Sequence, residues 1–169
     1  ESVDRLGLAF ELDLGGWDAL EATPIVVDNT MFFTSTYSIV HAVDAKTGAE
    51  KWRYDPMVPK DFLRRACCGP INRGVAVYQG KVYVGTLDGR LVAIDAGSGE
   101  KVWEVNTIID TERNYSITGA PRAAKGKIFI GNGGAEFGVR GYVTAYDSET
   151  GEEVWRFFTV PGDPSQPFE

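Results

Sequence analysis

One element occurs three times in this sequence at a nearly constant interval. Each copy follows the pattern A-x-D-x-x-x-G-x-x-x-W, in which x stands for any residue. The copies end at Trp52, Trp103 and Trp155, so they follow one another at intervals of 51 and 52 residues. Agreement at four positions in three copies is not expected by chance. The chain is therefore predicted to consist of repeated structural units.

The residues of the repeat indicate β-structure. Short runs rich in β-branched and aromatic residues, such as Met31 to Thr34 and Lys127 to Ile130, alternate with turn residues, as in antiparallel strands. In the repeated element, the Asp can accept backbone hydrogen bonds in a turn, and the Gly can supply a positive φ. The Trp can then pack against the next unit. A period near 50 residues with four short strands per unit is typical of β-propeller blades.

We therefore predict an all-β chain that forms one partial propeller domain, residues 1–169, with blades at about 6–55, 70–107 and 117–159. Closed propellers have about four to eight blades, so three blades are expected to form an incomplete ring. A stack of three blades would expose a blade face at each end. Homo-oligomers that complete a ring through these exposed faces are one alternative.

Composition narrows the functional classes. The net charge is −7 and the isoelectric point is near 4.8, which argues against nucleic-acid binding. No apolar run approaches the ~20 residues of a membrane span. The first residues, Glu1 to Arg5, are polar and unlike a signal peptide. A signal peptide that has been cleaved off remains an alternative.

The repeated element resembles the tryptophan-docking motif of the eight-bladed quinoprotein propellers. Similar repeats also occur in non-enzymatic propellers, such as outer-membrane assembly scaffolds. The segments between the repeats must therefore distinguish an enzyme from a scaffold that binds proteins.

Cys67 and Cys68 are the only cysteines and are adjacent. Their Cα atoms are ~3.8 Å apart, shorter than in most disulfides, so the pair alone would be interpreted as small buried thiols or as partners for cysteines of other chains. The stretch Cys67-Cys-Gly-Pro-Ile-Asn-Arg73 closely resembles the vicinal-disulfide segment of the alcohol dehydrogenases that use pyrroloquinoline quinone (PQQ). The resemblance implies a disulfide ring against the quinone and Arg73 at its ortho-quinone oxygens. A disulfide in turn implies an oxidising compartment, consistent with the periplasm.

A second segment of the same resemblance is the glycine-rich insertion between Gly131 and Gly141. It fits no dinucleotide or phosphate-loop pattern, and taken alone it would be an ordinary hairpin. Gly134 and Ala135 match the family residues that let the backbone approach the cofactor. Glu136 matches a ligand of a bound Ca²⁺ or lanthanide ion, for which a carboxylate is suitable.

Two further positions match the PQQ family. Glu21 lies in a Leu-Glu-Ala-Thr-Pro stretch and is expected to contact the cofactor. Thr118 lies in Ser-Ile-Thr-Gly-Ala-Pro and is expected to bind a cofactor carboxylate. Without the resemblance, either side chain would be interpreted as a polar group at a strand end.

The resemblance implies oxidation of a primary alcohol to an aldehyde by hydride transfer to PQQ, with cytochrome c or an equivalent electron acceptor as partner. The family's catalytic Asp lies in later blades. We therefore assign no catalytic residue and expect the segment alone to be inactive. His41 is the only histidine and has no triad pattern around it, so a structural or surface role is expected. The alternatives are the non-catalytic scaffold and the self-associating short chain.

Overall fold

The computed structural model of the chain describes residues 3–15, 20–163 and 165. It contains three four-stranded antiparallel sheets, and the strands of each sheet are adjacent in chain order. The first sheet is β1 (Ile25–Val27), β2 (Thr30–Thr34), β3 (Val40–Asp44) and β4 (Glu50–Tyr54). The second is β5 (Ala76–Tyr78), β6 (Lys81–Gly85), β7 (Arg90–Asp95) and β8 (Lys101–Asn106). The third is β9 (Arg122–Ala124), β10 (Lys127–Gly131), β11 (Tyr142–Asp147) and β12 (Glu153–Phe158).

The three predicted all-β units of four strands are thus present, and we call the sheets blades 1 to 3. The only helical segments in the described residues are short 3₁₀ turns at Val3–Arg5, Thr36–Ser38, Lys60–Arg65 and Ala135–Phe137. The blade limits of 6–55, 70–107 and 117–159 stay a prediction, and residues 16–19 of the first range lie outside the described residues. No helix in the described part is long and apolar enough to cross a membrane.

The turn of each repeated element is held by its aspartate. Asp95 Oδ1 accepts hydrogen bonds from the backbone N–H groups of Gly97 (3.0 Å) and Ser98 (2.8 Å). Asp44 and Asp147 make the same pair of bonds in blades 1 and 3. The turn ends at a glycine with positive φ, +76° at Gly99, as the sequence pattern predicts.

The tryptophans join one blade to the next. Trp52 of blade 1 lies against Gly99 of blade 2, where a Cβ would be only 2.7 Å from the indole ring. The Trp52 Nε1–H donates to the Ala96 carbonyl at 3.0 Å. Trp103 makes the same contact with Gly151 of blade 3 (2.8 Å). Glycine is therefore required in the turn both by its φ and by the ring that covers it.

Two apolar layers fill the spaces between the blades. The layer between blades 1 and 2 includes Phe32, Val40, Trp52, Val82 and Ile94, all buried. The layer between blades 2 and 3 is built from the equivalent strands, with partly buried Trp103 packed at its border. Burial of these side chains is the main force that stacks the blades.

The two ends of the stack differ from each other. The outer face of blade 3 leaves Trp155 43% exposed, although its ring lies 5.9 Å from that of Phe129, as in the covered pairs of the other blades. At the opposite end, the turn glycine Gly48 is covered by Phe10, whose ring would lie 2.5 Å from a Cβ at that glycine. The segment before blade 1 therefore supplies the aromatic ring that a preceding blade would otherwise provide.

Because of the aspartates in the three turns, we expect the folded chain to lose stability in acid. Backbone N–H donors lower the pKa of Asp44, Asp95 and Asp147 in the folded chain. Their stabilisation is present above the unfolded-state pKa of about 4 and is lost as the pH falls through the lower folded values. We expect Asp95→Asn to lower the free energy of unfolding near neutral pH. The free energy of unfolding should also fall less steeply between about pH 5 and about pH 2 than in the parent chain. Denaturant unfolding across this range measures both effects.

Asp61 provides the matched control for this experiment. It is an exposed aspartate, and it has no hydrogen bond or ion pair within the described ranges. Asp61→Asn should leave the pH profile as in the parent chain. If Asp95→Asn and Asp61→Asn gave the same profile, the aspartate turns would not be the source of the acid sensitivity.

Candidate functional site

Three of the predicted site residues occupy equivalent places in the three blades. Glu21, Arg73 and Thr118 each lie three or four residues before the first strand of a blade. These first strands are neighbours, because β1 contacts β5 and β5 contacts β9. The fold therefore brings together the segments that precede these three strands.

The guanidinium of Arg73 joins these segments. Its Nη2 lies 3.0 Å from Glu21 Oε2, and its Nη1 donates to Thr118 Oγ1 at 2.5 Å. The Arg73 backbone N–H also donates to the Thr118 carbonyl at 2.8 Å. The side chains of Arg73 and Glu21 remain 48% and 40% exposed. A cation, a carboxylate and a hydroxyl from three blades thus meet at a surface that a ligand can reach.

Asn72, which the sequence analysis did not single out, fixes the backbone next to Arg73. It is 2% exposed, and its Oδ1 accepts from Thr34 Oγ1 (2.9 Å) and from the Gly74 N–H (2.9 Å). Its Nδ2 donates to Ser38 Oγ (3.1 Å) and to the Gly85 carbonyl (2.8 Å). Asn72 therefore ties the Arg73 segment to both blade 1 and blade 2. Its place within the Cys67-to-Arg73 stretch was the only sequence signal that pointed to it.

The predicted bond between Cys67 and Cys68 is present as a disulfide between adjacent residues. Both cysteines are exposed, in the loop between the 3₁₀ turn Lys60–Arg65 and β5. The loop continues through Asn72 to Arg73. The disulfide and the guanidinium therefore belong to one connection, whose end is anchored by buried hydrogen bonds.

The glycine-rich insertion lies beside the Thr118 segment. Gly133 exchanges backbone hydrogen bonds with Ser116, two residues before Thr118. Gly134 has φ +105°, and a Cβ there would be 2.4 Å from the Asn114 carbonyl oxygen. Only glycine fits this position, because of its positive φ and the nearby Asn114 carbonyl, and no cofactor is needed to explain it. The approach of a cofactor to Gly134 and Ala135 stays a prediction.

Glu136 lies in the 3₁₀ turn Ala135–Phe137 and is exposed. Its carboxylate has no hydrogen bond or ion pair within the described ranges, so it is available to a ligand. No group of three or more His, Cys, Asp or Glu side chains in this part of the chain could hold a metal ion. The described residues thus form no complete metal centre, and the role of Glu136 as a metal ligand stays a prediction.

His41 packs in blade 1, stacked on Phe33 with the ring centroids 5.0 Å apart. Its Nε2 lies 2.9 Å from Ser35 Oγ, and burial, followed by the charge of Arg53, lowers its pKa. It is 4% exposed. His41 is therefore a structural side chain, one of the two roles expected for it.

Comparison with known proteins decides the family. A family model described as the PQQ glucose/ethanol/alcohol dehydrogenase β-propeller domain matches residues 11–169. The chain belongs to this family. PQQ-family membership confirms the resemblance on which the site residues were chosen.

The relatives are PQQ-type alcohol dehydrogenases. Identity is 58% over 167 residues with quinohemoprotein alcohol dehydrogenase ADH-IIG of Pseudomonas putida, covering 99% of this chain and 23% of that protein. The solved structure of ADHIIG from P. putida HK5 superposes with a TM-score of 0.91 at 59% identity, covering 96% of this chain and 24% of that one. Identity is 56% over 169 residues with 1-butanol dehydrogenase (cytochrome c) of Thauera butanivorans, covering 100% of this chain and 24% of that protein.

A europium-containing methanol dehydrogenase also shares the fold, with a TM-score of 0.88 at 40% identity over 95% of this chain and 28% of that one. The chain thus spans about a quarter of the length of the relatives it matches. The three blades are therefore part of a propeller, as the repeat period predicts.

Proposed function

We propose that this chain is a segment of a PQQ-dependent alcohol dehydrogenase and that it forms one side of the PQQ site. The observation that carries the proposal is the meeting of Glu21 and Thr118 with Arg73, which lies on the connection that also bears the Cys67–Cys68 disulfide. The residue types and the PQQ family support the same conclusion.

The side chains of this cluster fit PQQ chemically. PQQ is a planar ortho-quinone with carboxylate groups, so it offers hydrogen-bond acceptors in fixed directions. Arg73 has five N–H donors, and its bonds to Glu21 and Thr118 leave others for a ligand. The Thr118 hydroxyl can donate to a carboxylate, and the exposed disulfide offers an apolar surface to a flat ring.

Bound PQQ would supply a hydride acceptor for the carbinol carbon of a primary alcohol, and the aldehyde forms when a base also takes the hydroxyl proton. Arg73 would hold a fixed positive charge at the quinone oxygens and stabilise negative charge there. Glu21 would orient the guanidinium through their 3.0 Å ion pair. We assign no general base to the described residues. The catalytic Asp of the family is expected in another part of the longer protein.

Glu136 is proposed as one ligand of the metal ion that accompanies PQQ. An exposed carboxylate suits hard cations such as Ca²⁺ or a lanthanide. We propose Ca²⁺ as the metal ion. A lanthanide is the alternative, because one similar structure is a europium-containing methanol dehydrogenase. The remaining ligands would come from outside the described residues.

The proposed partners follow from the chemistry and from the names of the relatives. A reduced quinone must pass on its electrons, and one relative is named for cytochrome c. We propose cytochrome c or an equivalent carrier as the acceptor. The Cys67–Cys68 disulfide supports a periplasmic location, because disulfides persist in oxidising compartments.

The exposed outer face of blade 3, around Trp155, bears on the alternative of self-association. At the other end of the stack, Phe10 already covers Gly48, the turn on which a tryptophan from a second copy would dock. A further blade of the longer protein is therefore the preferred cover for Trp155. The scaffold alternative gains no support from these relatives, which are dehydrogenases.

The test of this proposal is PQQ binding by the full-length protein. We expect Arg73→Gln to raise the Kd for PQQ by roughly 10- to 100-fold, because charge-assisted hydrogen bonds contribute about 1.5–3 kcal/mol. Titration of the apoprotein, followed by the absorbance of PQQ, measures the change. Arg64→Gln, which removes an exposed charge from the turn Lys60–Arg65, is the control. Equal Kd values for the two variants would contradict the site.

A further inference from the structure

Arg122 interrupts a pattern that blades 1 and 2 share. It is the first residue of β9 and pairs with Phe129 of β10. The equivalent partners are Ile25, opposite Phe32, and Ala76, opposite Tyr83. Ile25 and Ala76 pack into the apolar layers between the blades. Blade 3 thus has a cation where the other two blades have an apolar side chain.

The guanidinium of Arg122 is oriented by its own chain. Its Nη1 donates to the carbonyls of Ala120 and Pro121, both at 3.1 Å. No carboxylate pairs with it in the part of the chain that the structure describes, and the residue is exposed. Its remaining N–H donors are therefore available to a partner with negative charge.

Arg122 lines the same cleft as Arg73. Two cavities, of about 480 Å³ and about 420 Å³, are both bordered by Arg73, Ala120 and Arg122, and Thr118 borders the larger one. The charge of Arg73 is balanced by Glu21 at 3.0 Å. Among the described residues, the cleft therefore keeps one positive charge without an acidic counterpart.

We propose that Arg122 binds a carboxylate in this cleft. A guanidinium with a fixed plane and free N–H donors matches the two oxygens of a carboxylate, and this geometry gives strong charge-assisted pairs. The carboxylate has two sources, a carboxylate group of bound PQQ or an Asp or Glu of a further blade that covers this face. The first source rests on the proposed function, whereas the second does not.

The experiment uses the full-length apoprotein with the variants Arg122→Gln and Arg122→Lys and with Arg64→Gln as the control. The Kd for PQQ is measured by titration, and the Tm of the apoprotein is measured without PQQ. If PQQ supplies the carboxylate, Arg122→Gln should raise the Kd roughly tenfold or more and Arg122→Lys should recover part of it. If a further blade supplies it, the Tm should fall with Arg122→Gln and return in part with Arg122→Lys.

The two proposals fail in different ways. A parent protein that does not bind PQQ contradicts the proposed function, while the Tm comparison still tests Arg122. The inference about Arg122 is overturned if Arg122→Gln changes neither the Kd nor the Tm beyond the control. It is also overturned if the only change is a fall in Tm that Arg122→Lys does not restore.

Discussion

Replacement of Trp52 by alanine is expected to lower the free energy of unfolding of the 169-residue chain by about 3–5 kcal/mol. The indole is 8% exposed, lies 5.8 Å from the Phe32 ring and covers Gly99 of the next blade. The variant would leave a cavity between blades 1 and 2 and would free the Ala96 carbonyl, which now accepts from Nε1 at 3.0 Å. Urea unfolding followed by circular dichroism measures the loss.

Trp155→Ala is the matched control, because Trp155 has the same place in the repeat and an equivalent aromatic neighbour, Phe129 at 5.9 Å. It is 43% exposed, so its removal from the 169-residue chain should cost only about 1 kcal/mol. In a longer protein whose next blade covers Trp155, the two variants should lower the free energy of unfolding by similar amounts. Equal losses in the 169-residue chain itself would show that docking on the next blade contributes little.

The blades could be predicted from the sequence because each repeat specifies its turn locally. Asp95 makes its hydrogen bonds within three residues, and Gly99 adopts its positive φ four residues later in the same turn. Such short-range requirements leave a visible pattern in the sequence. The contact of Phe10 with Gly48 could not be predicted in this way, since it is one aromatic ring outside any repeat.

The site was only partly accessible to sequence reasoning. Family resemblance named Glu21, Arg73 and Thr118, but their bonds depend on how three blades stack, which no single segment encodes. Asn72 was missed because its four partners are spread from Thr34 to Gly85. A buried amide that joins distant segments has no characteristic spacing.

Asn72→Leu is expected to lower the free energy of unfolding by about 3–5 kcal/mol. Leucine has a similar volume, so the loss would come from hydrogen bonds and not from a cavity. The Gly85 carbonyl and the Gly74 N–H would lose the side-chain partner they now have at 2.8 and 2.9 Å. Thr34 and Ser38 would each lose one bond in a buried place. Chemical denaturation of the 169-residue chain measures the change.

Asn106→Leu is the control, because Asn106 is an exposed asparagine whose Oδ1 accepts one bond, from the Ile108 N–H. That variant should cost about 1 kcal/mol or less. In the full-length protein, Asn72→Leu should also raise the Kd for PQQ at a temperature where circular dichroism shows it folded, since Asn72 fixes the backbone beside Arg73. A folded variant with unchanged Kd would show that Asn72 stabilises the blades without positioning Arg73. A variant as stable as Asn106→Leu would show that its four hydrogen bonds add little to the fold.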